Sequence, residues 1–379
     1  TKKWDDGLTN AEREIPDMSI STEKPSKSTK GYTVTFHGNG LKFADGTDEN
    51  MVVYNSSGQI VEGSYKEAVG TGVGWYSDKA LTQKAEISDD GVPQVELTGD
   101  LDLWAKEMTF TLTSSYGFRN KIPDTTTEVI FTDEVKPKGK DVIDVDADED
   151  GGVVAWLDDD GGTVMKVSTQ IPGVKVQAAI NSGDMFRSRS KLQKIDFKML
   201  DTQNVTNMSD MFSNCYRLTS LDLTPLDTQN VEHMDGMFYR CSNLVKLDLS
   251  SFDTSNVTDM GAMFSGTGGN VMTTLNLGSN FKTSKVSNMG YMFNYTGYIK
   301  MTSLNLGNNF DTSNVINMED MFCATGFRAM TNLDFGNKFN TIKVTNMRQM
   351  FCATGRFALK NLNLGENFDT SNVTNMNSM

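Results

Sequence analysis

Residues 218–238 read LTSLDLTPLDTQNVEHMDGMF, and near copies of this order return down the second half of the chain. Phe186, Phe212, Phe238 and Phe264 each follow a methionine and lie 26 residues apart, whereas Phe264, Phe293, Phe322 and Phe351 lie 29 apart. A fixed period of this size marks an array of stacked structural repeats. Within one repeat, Leu221-Asp222-Leu223 alternates as a short strand does, with the leucines on one face and the aspartate on the other. Met234, Met237 and Phe238 fall at i, i+3 and i+4, the spacing that puts three side chains on one side of a helical turn. Asn207 with Asp210 three residues on reads as a helix N-cap, and Gly268, Gly297, Gly326 and Gly355, each after a Thr, suit a left-handed helix exit. Each repeat is thus expected to be a strand, a turn and a short helical segment.

The change of period falls in the connections. Phe212 to Leu221 is 9 residues and Phe264 to Leu275 is 11, while Leu221 to Phe238 is 17 and Leu275 to Phe293 is 18. No core position moves, as a packed stack requires.

The same phasing decides what the sulfur-bearing residues do. Met-x-x-Met pairs recur from Met208/Met211 to Met376/Met379, and thioether clusters suit Cu(I). Their registration with the leucine strands fits interior packing better, since methionine fills irregular gaps. Cys215 and Cys241 share one phase, Cys323 and Cys352 another; neighbouring repeats could bring either pair within disulfide reach, and buried free thiols in a ladder are the expectation.

At 379 residues the chain can bury a large core, and its formal charge of −14 with no basic patch argues against nucleic acid as a partner. Two histidines, His37 and His233, leave little for acid–base chemistry or zinc ligation. Asp146, Asp148, Asp150 and Gly151 fit the first positions of a calcium loop, but the twelfth is Leu157 where Glu is expected, so an acidic turn before a VVAWL strand is the better reading; DDDGG then turns a hairpin into TVMKVST. No catalytic set, phosphate loop or apolar membrane span emerges, so no enzyme, cofactor, metal or membrane insertion is expected.

Before the repeats, residues 1–30 read as a polar linker, and YTVTFHGNG, GWYSDKAL and DLDLWAKE frame a segment over 31–107 with Trp75, Tyr76 and Trp104 as core candidates. Those phrases resemble the Listeria-Bacteroides (internalin B-type) repeat, although the 23 residues LKFADGTDENMVVYNSSGQIVEG depart from its usual length. The second half, with LDLSSFDTSNVTDM over Leu247–Met260 followed by MF, resembles the BspA-like leucine-rich repeats from about residue 110 onward. The resemblances imply a mainly β chain with short helical turns: a small β-grasp-like module over 31–107, a β-rich leader over 108–190, and a leucine-rich-repeat-like solenoid over 191–379. Because Met379 lacks its expected Phe, the solenoid is expected to continue beyond it. They further imply a cell-wall-associated adhesin of a Gram-positive bacterium that binds a host matrix protein, mucin or other surface glycan or protein. A stalk displaying some other domain is the alternative.

Two surfaces are candidates for contact. One is the column opposite the leucines: Asp196, Asp222, Asp248, Asn276, Asn305, Asp334 and Asn363. The other is an aromatic and basic group on the longer connections: Tyr298, Phe327, Arg328, Arg356 and Phe357.

Overall fold

In the computed structural model, residues 31–379 are described apart from 56, 71, 89 and 90, so the expected linker over 1–30 lies outside the described residues. The chain divides into two compact units between Glu107 and Met108. It is mainly β, and the one α-helix among the described residues is α1 (Ser115–Lys121), started by the Ser114 hydroxyl, which accepts from the Gly117 amide.

Among the described residues the first unit has six strands, β1 (Tyr32–His37), β2 (Glu49–Tyr54), β3 (Ile60–Glu62), β4 (Val73–Tyr76), β5 (Lys84–Ala85) and β6 (Leu101–Glu107), in the order β3-β2-β1-β6-β4-β5. The first and last strands run parallel at its centre, with Phe36 opposite Leu103. Trp75 enters the core and meets Phe36 edge-on, and Tyr76 is buried too. Trp104 is a correction: Leu103 and Ala105 point inward, so the period of two sends Trp104 to the other face, where it stacks on His37 at 5.1 Å.

The second unit opens with β7 (Glu128–Thr132), β8 (Ile143–Asp144), β9 (Val154–Leu157) and β10 (Val164–Ser168). The expected hairpin is present, Leu157 facing Met165. β11 (Val176–Gln177), β12 (Lys194–Asp196) and β13 (Leu200–Asp201) follow; β12 pairs in parallel with β7, Ile195 opposite Val129, so the leader's sheet takes in the first strand of the repeats. β14 (Lys246–Asp248), β15 (Thr274–Asn276), β16 (Ser303–Asn305) and β17 (Asn332–Asp334) are the later repeat strands, with Leu247 in register with Leu275 and Leu304 with Leu333.

The Met-x-x-Met-Phe segments are not helical. From Met208 the amides divide their bonds by turns. Those of Met208, Asp210, Phe212 and Asn214 donate to His233, Asp235, Met237 and Tyr239 in the next repeat, while those of Met211, Ser213 and Cys215 donate back three residues within their own. With every second amide taken by a neighbour, the i→i−4 pattern of an α-helix cannot form. The result is a chain of tight turns with a left-handed residue every fourth position, such as Asp210 (φ 55°) and Asn214 (φ 60°). Asn207 closes the first of these turns by accepting from Ser209, in place of the expected helix cap. The exit glycines are left-handed as the sequence indicates, Gly297 at φ 53°, and a Cβ there would lie 2.4 Å from that of Met301.

These turns still put the methionines inside. Both members of the first six Met-x-x-Met pairs, from Met208/Met211 to Met347/Met350, have no exposed surface. Beside them the phenylalanines from Phe186 to Phe351 form a continuous column, successive rings 5.4–5.9 Å apart and nearly parallel. One parallel bridge per repeat runs through Asn181, Asn207, His233, Asp259, Asn288, Asn317, Asn346 and Asn375. Two hydroxyl ladders tie the repeats further. The Thr of each Asp-Thr or equivalent, Thr254 for example, donates across to a backbone carbonyl of the next repeat, Lys282 at 2.7 Å. Three residues after each Phe from Phe212 to Phe322, a buried Thr or Cys donates back: Thr267 to the Phe238 carbonyl at 2.8 Å, Thr296 to Phe264 at 2.7 Å, and Cys215 to Phe186 at 3.0 Å. Cysteine therefore occupies the threonine position in the 26-residue repeats. All four cysteines are free, and burial pushes the Cys215 thiol up to about 12.

Candidate functional site

The Asp/Asn column is present, and every member closes a local turn. Asp196, Asp222, Asp248, Asn276, Asn305, Asp334 and Asn363 each accept, through one side-chain oxygen, the backbone amide two residues on, at 2.8–3.1 Å. Only a short side chain with an acceptor oxygen makes this turn, which explains why Asp and Asn alone occupy the position. Asp196 is half-buried and the other six are exposed. The bonds to Thr224 and Ser250 hold the carboxyls of Asp222 and Asp248 below the usual range, so both are anionic at neutral pH. The Asn276 amide also donates to Asp248 at 2.9 Å, linking two repeats.

A concavity of about 790 Å³ lies on this column, centred on Asp248, Asn276 and Asn305. Its rim is Lys246, Thr274, Ser279, Asn308 and Asn309, and its floor is Leu247, Leu275, Leu277 and Leu306. The groove sits where the period changes. The longer repeats carry one more residue after the strand, and Gly278 and Gly307 (φ 75° and 77°) turn the chain there. Sequence reasoning found the column but not Ser279, Asn308 or Asn309; the signal available was the Gly-x-Asn that follows the strand at Gly278 and Gly307.

The second candidate surface is brought together only in part. Tyr298 and Phe327 stack at 4.6 Å, Phe357 meets Phe327 edge-on at 5.1 Å, and the Arg328 guanidinium lies 5.9 Å from the Phe357 ring centre. Phe357 is 67% exposed and Arg356 is exposed. Tyr295, absent from the sequence-based set, stacks on Tyr298 at 5.5 Å and extends the row. Because the rings largely stack on one another, much of their face area is already covered.

A family model described as "Mycoplasma protein of unknown function, DUF285" matches residues 163–273, 245–332 and 269–379, together more than half of the chain. The chain belongs to the DUF285 family. The family's region begins just before β10 and takes in every repeat, so the column, the groove and the aromatic row all lie within DUF285 sequence. No curated protein and no solved structure matches the chain.

Asp146, Asp148 and Asp150 do converge, with ligand atoms within 4.8 Å of one another. Their oxygens are engaged by the turn itself: Asp146 accepts from Ala147, Gly151 and Gly152, and Asp150 accepts from Gly152 and Thr109. Burial, then the hydrogen bond and charge of Asp150, push the Asp146 carboxyl up to about 7. The twelfth loop position, Leu157, ends strand β9. Among the described residues no helix is long and apolar enough to cross a membrane.

Proposed function

We propose that this chain is a non-catalytic binding protein of a bacterial cell surface, its repeats forming a leucine-rich-repeat-like solenoid that presents a contact face, with residues 31–107 as a β-grasp-like spacer. The observation that carries this reading is the column from Asp222 to Asn363: six exposed polar side chains, one per repeat, held in register by the repeat ladder. Extended faces of this kind are what repeat scaffolds offer to partners. The resemblance to BspA-like repeats points the same way, towards a host matrix protein, mucin or other surface glycan or protein as ligand. The parallel pairing of β1 with β6 at the sheet centre supports the β-grasp-like description of the spacer.

A stalk that displays another domain is the second reading. It is favoured by the turn-closing bond that every column residue already makes.

Retention of the purified chain on mucin and matrix-protein surfaces separates the two. Asp222→Asn with Asp248→Asn keeps the turns and removes the charge; Phe327→Ala with Arg356→Ala strips the aromatic row. Loss of retention in one folded variant, checked by circular dichroism, locates the contact face. A chain that is retained on none of these surfaces is a stalk.

A further inference from the structure

We propose that the groove over Asp248, Asn276 and Asn305 binds a linear, uncharged saccharide lying along the repeat direction. This rests on the reading of the chain as a binding protein and names its ligand class. At about 790 Å³ the concavity is in the range that holds small ligands. At the usual strand spacing of ~4.8 Å its three repeats cover on the order of 10 Å, a short run of sugar rings.

The chemistry of the lining excludes the other common ligands in turn. Among the lining residues only Lys246 and Asp248 are charged, one of each sign, and the next carboxylate, Asp334 on the strand beside Asn305, accepts from the Gly336 amide. There is thus no positive field for phosphate or nucleic acid and no converging carboxylate pair for a metal ion. The leucines of the floor are almost fully buried, so there is no deep pocket for an apolar peptide side chain. β14 pairs with β15 and β16 with β17, so the ladder is interrupted between β15 and β16. The run left unpaired is only three residues long on each side, too short for strand addition to hold an extended peptide by main-chain bonds. What remains is a shallow apolar floor between rows of amides, hydroxyls and one carboxylate. A sugar ring matches that arrangement, since it has C–H faces and hydroxyls that both donate and accept.

The donor–acceptor pattern is specific about where contact falls. Asp248 offers acceptors. One N–H of the Asn276 amide is taken by Asp248, whereas the Asn305 amide has its oxygen on Gly307 and both N–H groups without a protein partner among the described residues. Asn308 is exposed beside it. Asn305 is therefore the principal donor. Gly307 lies on the wall with open space where a Cβ would stand, and its φ of 77° is one that Asn tolerates best among residues with side chains.

The test uses the full chain and a panel of soluble oligosaccharides, uncharged α- and β-linked glucans, chitooligosaccharides and neutral mucin-core glycans, with sialylated and sulfated forms as charged comparators, titrated by calorimetry. Asn305→Asp keeps the turn acceptor and removes the donor; Gly307→Asn narrows the groove; Asn120→Asp makes the same Asn-to-Asp change at an exposed residue of α1, outside both candidate surfaces. Expected is binding of an uncharged member, weakened about ten- to a hundredfold by Asn305→Asp, lost with Gly307→Asn and unaltered by Asn120→Asp. Equal weakening by Asn120→Asp, or tighter binding of the charged forms, overturns the proposal. Retention on mucin or matrix protein with no saccharide bound overturns it while leaving the binding function standing. Failure of both removes the two together.

Discussion

Met263 lies in the middle of the stack with no exposed surface, and truncating it measures how rigidly the repeats are held. Met263→Ala removes the thioether and leaves a void. Whether that void closes depends on the backbone around it, and here the backbone is pinned on both sides: the Phe238 amide donates to the Met263 carbonyl at 2.9 Å, and the Phe264 amide to that of Met292 at 2.9 Å. Buried Met→Ala changes cost about 2–5 kcal/mol, the larger values where the site cannot collapse, so the upper half of that range is expected. Met376, 44% exposed, supplies the same chemical change in a half-open setting, and Met376→Ala should cost under about 1 kcal/mol. Global unfolding of two units and many repeats does not reduce to one transition, so the assay is amide hydrogen exchange resolved to peptides of each repeat. A cost in that upper half, about 3.5–5 kcal/mol, accelerates exchange roughly three-hundredfold to several thousandfold around Phe238–Phe264, one decade per 1.4 kcal/mol. Equal acceleration by the two variants, or none by Met263→Ala, would refute the interior placement of the methionines.

Two further outcomes follow from buried polar groups. Thr296→Val deletes the hydroxyl that donates to the Phe264 carbonyl, which keeps the Thr267 amide as a donor, so the cost should be about 1 kcal/mol; Thr296→Cys, which copies Cys241, should recover most of it in the same exchange assay. Asp146 is raised in the folded state above its unfolded value of roughly 4, so its stabilisation is present below about pH 4 and fades as pH rises through about 7. Asp146→Asn, which mimics the protonated form, should flatten that decline of melting temperature with pH, and an unchanged slope would show that another group is responsible.

What the sequence disclosed follows from periodicity. Leu247, Leu275 and Leu304 and the methionine pairs recur in fixed phase, and a side chain that recurs in phase in a stack is inside it. The backbone of the Met-Met-Phe segment was not legible, because i, i+3, i+4 spacing serves a chain of tight turns as well as a helix. The residues that carry the left-handed conformation, among them Asp210, Arg240, Ala262 and Tyr291, are mostly not glycine and give no warning. They are held there by bonds to the next repeat, a tertiary cause. The column was legible as a surface, while its turn-closing duty was concealed in the restriction to Asp and Asn. The groove depends on a one-residue lengthening whose place could be counted and whose shape could not.

The alternation of amide bonds between neighbouring repeats and local turns also fixes how the molecule answers a pulling force. Bonds from one repeat to the next lie along the ladder, so tension applied along it loads successive interfaces in series, and the weakest gives way first. Each repeat that then unravels keeps no partner for its local turns and extends fully, releasing about 90 Å for a 26-residue repeat and about 100 Å for a 29-residue one at ~3.5 Å per residue. If the chain is displayed on a surface as proposed above, this stepwise lengthening would let it dissipate load under flow.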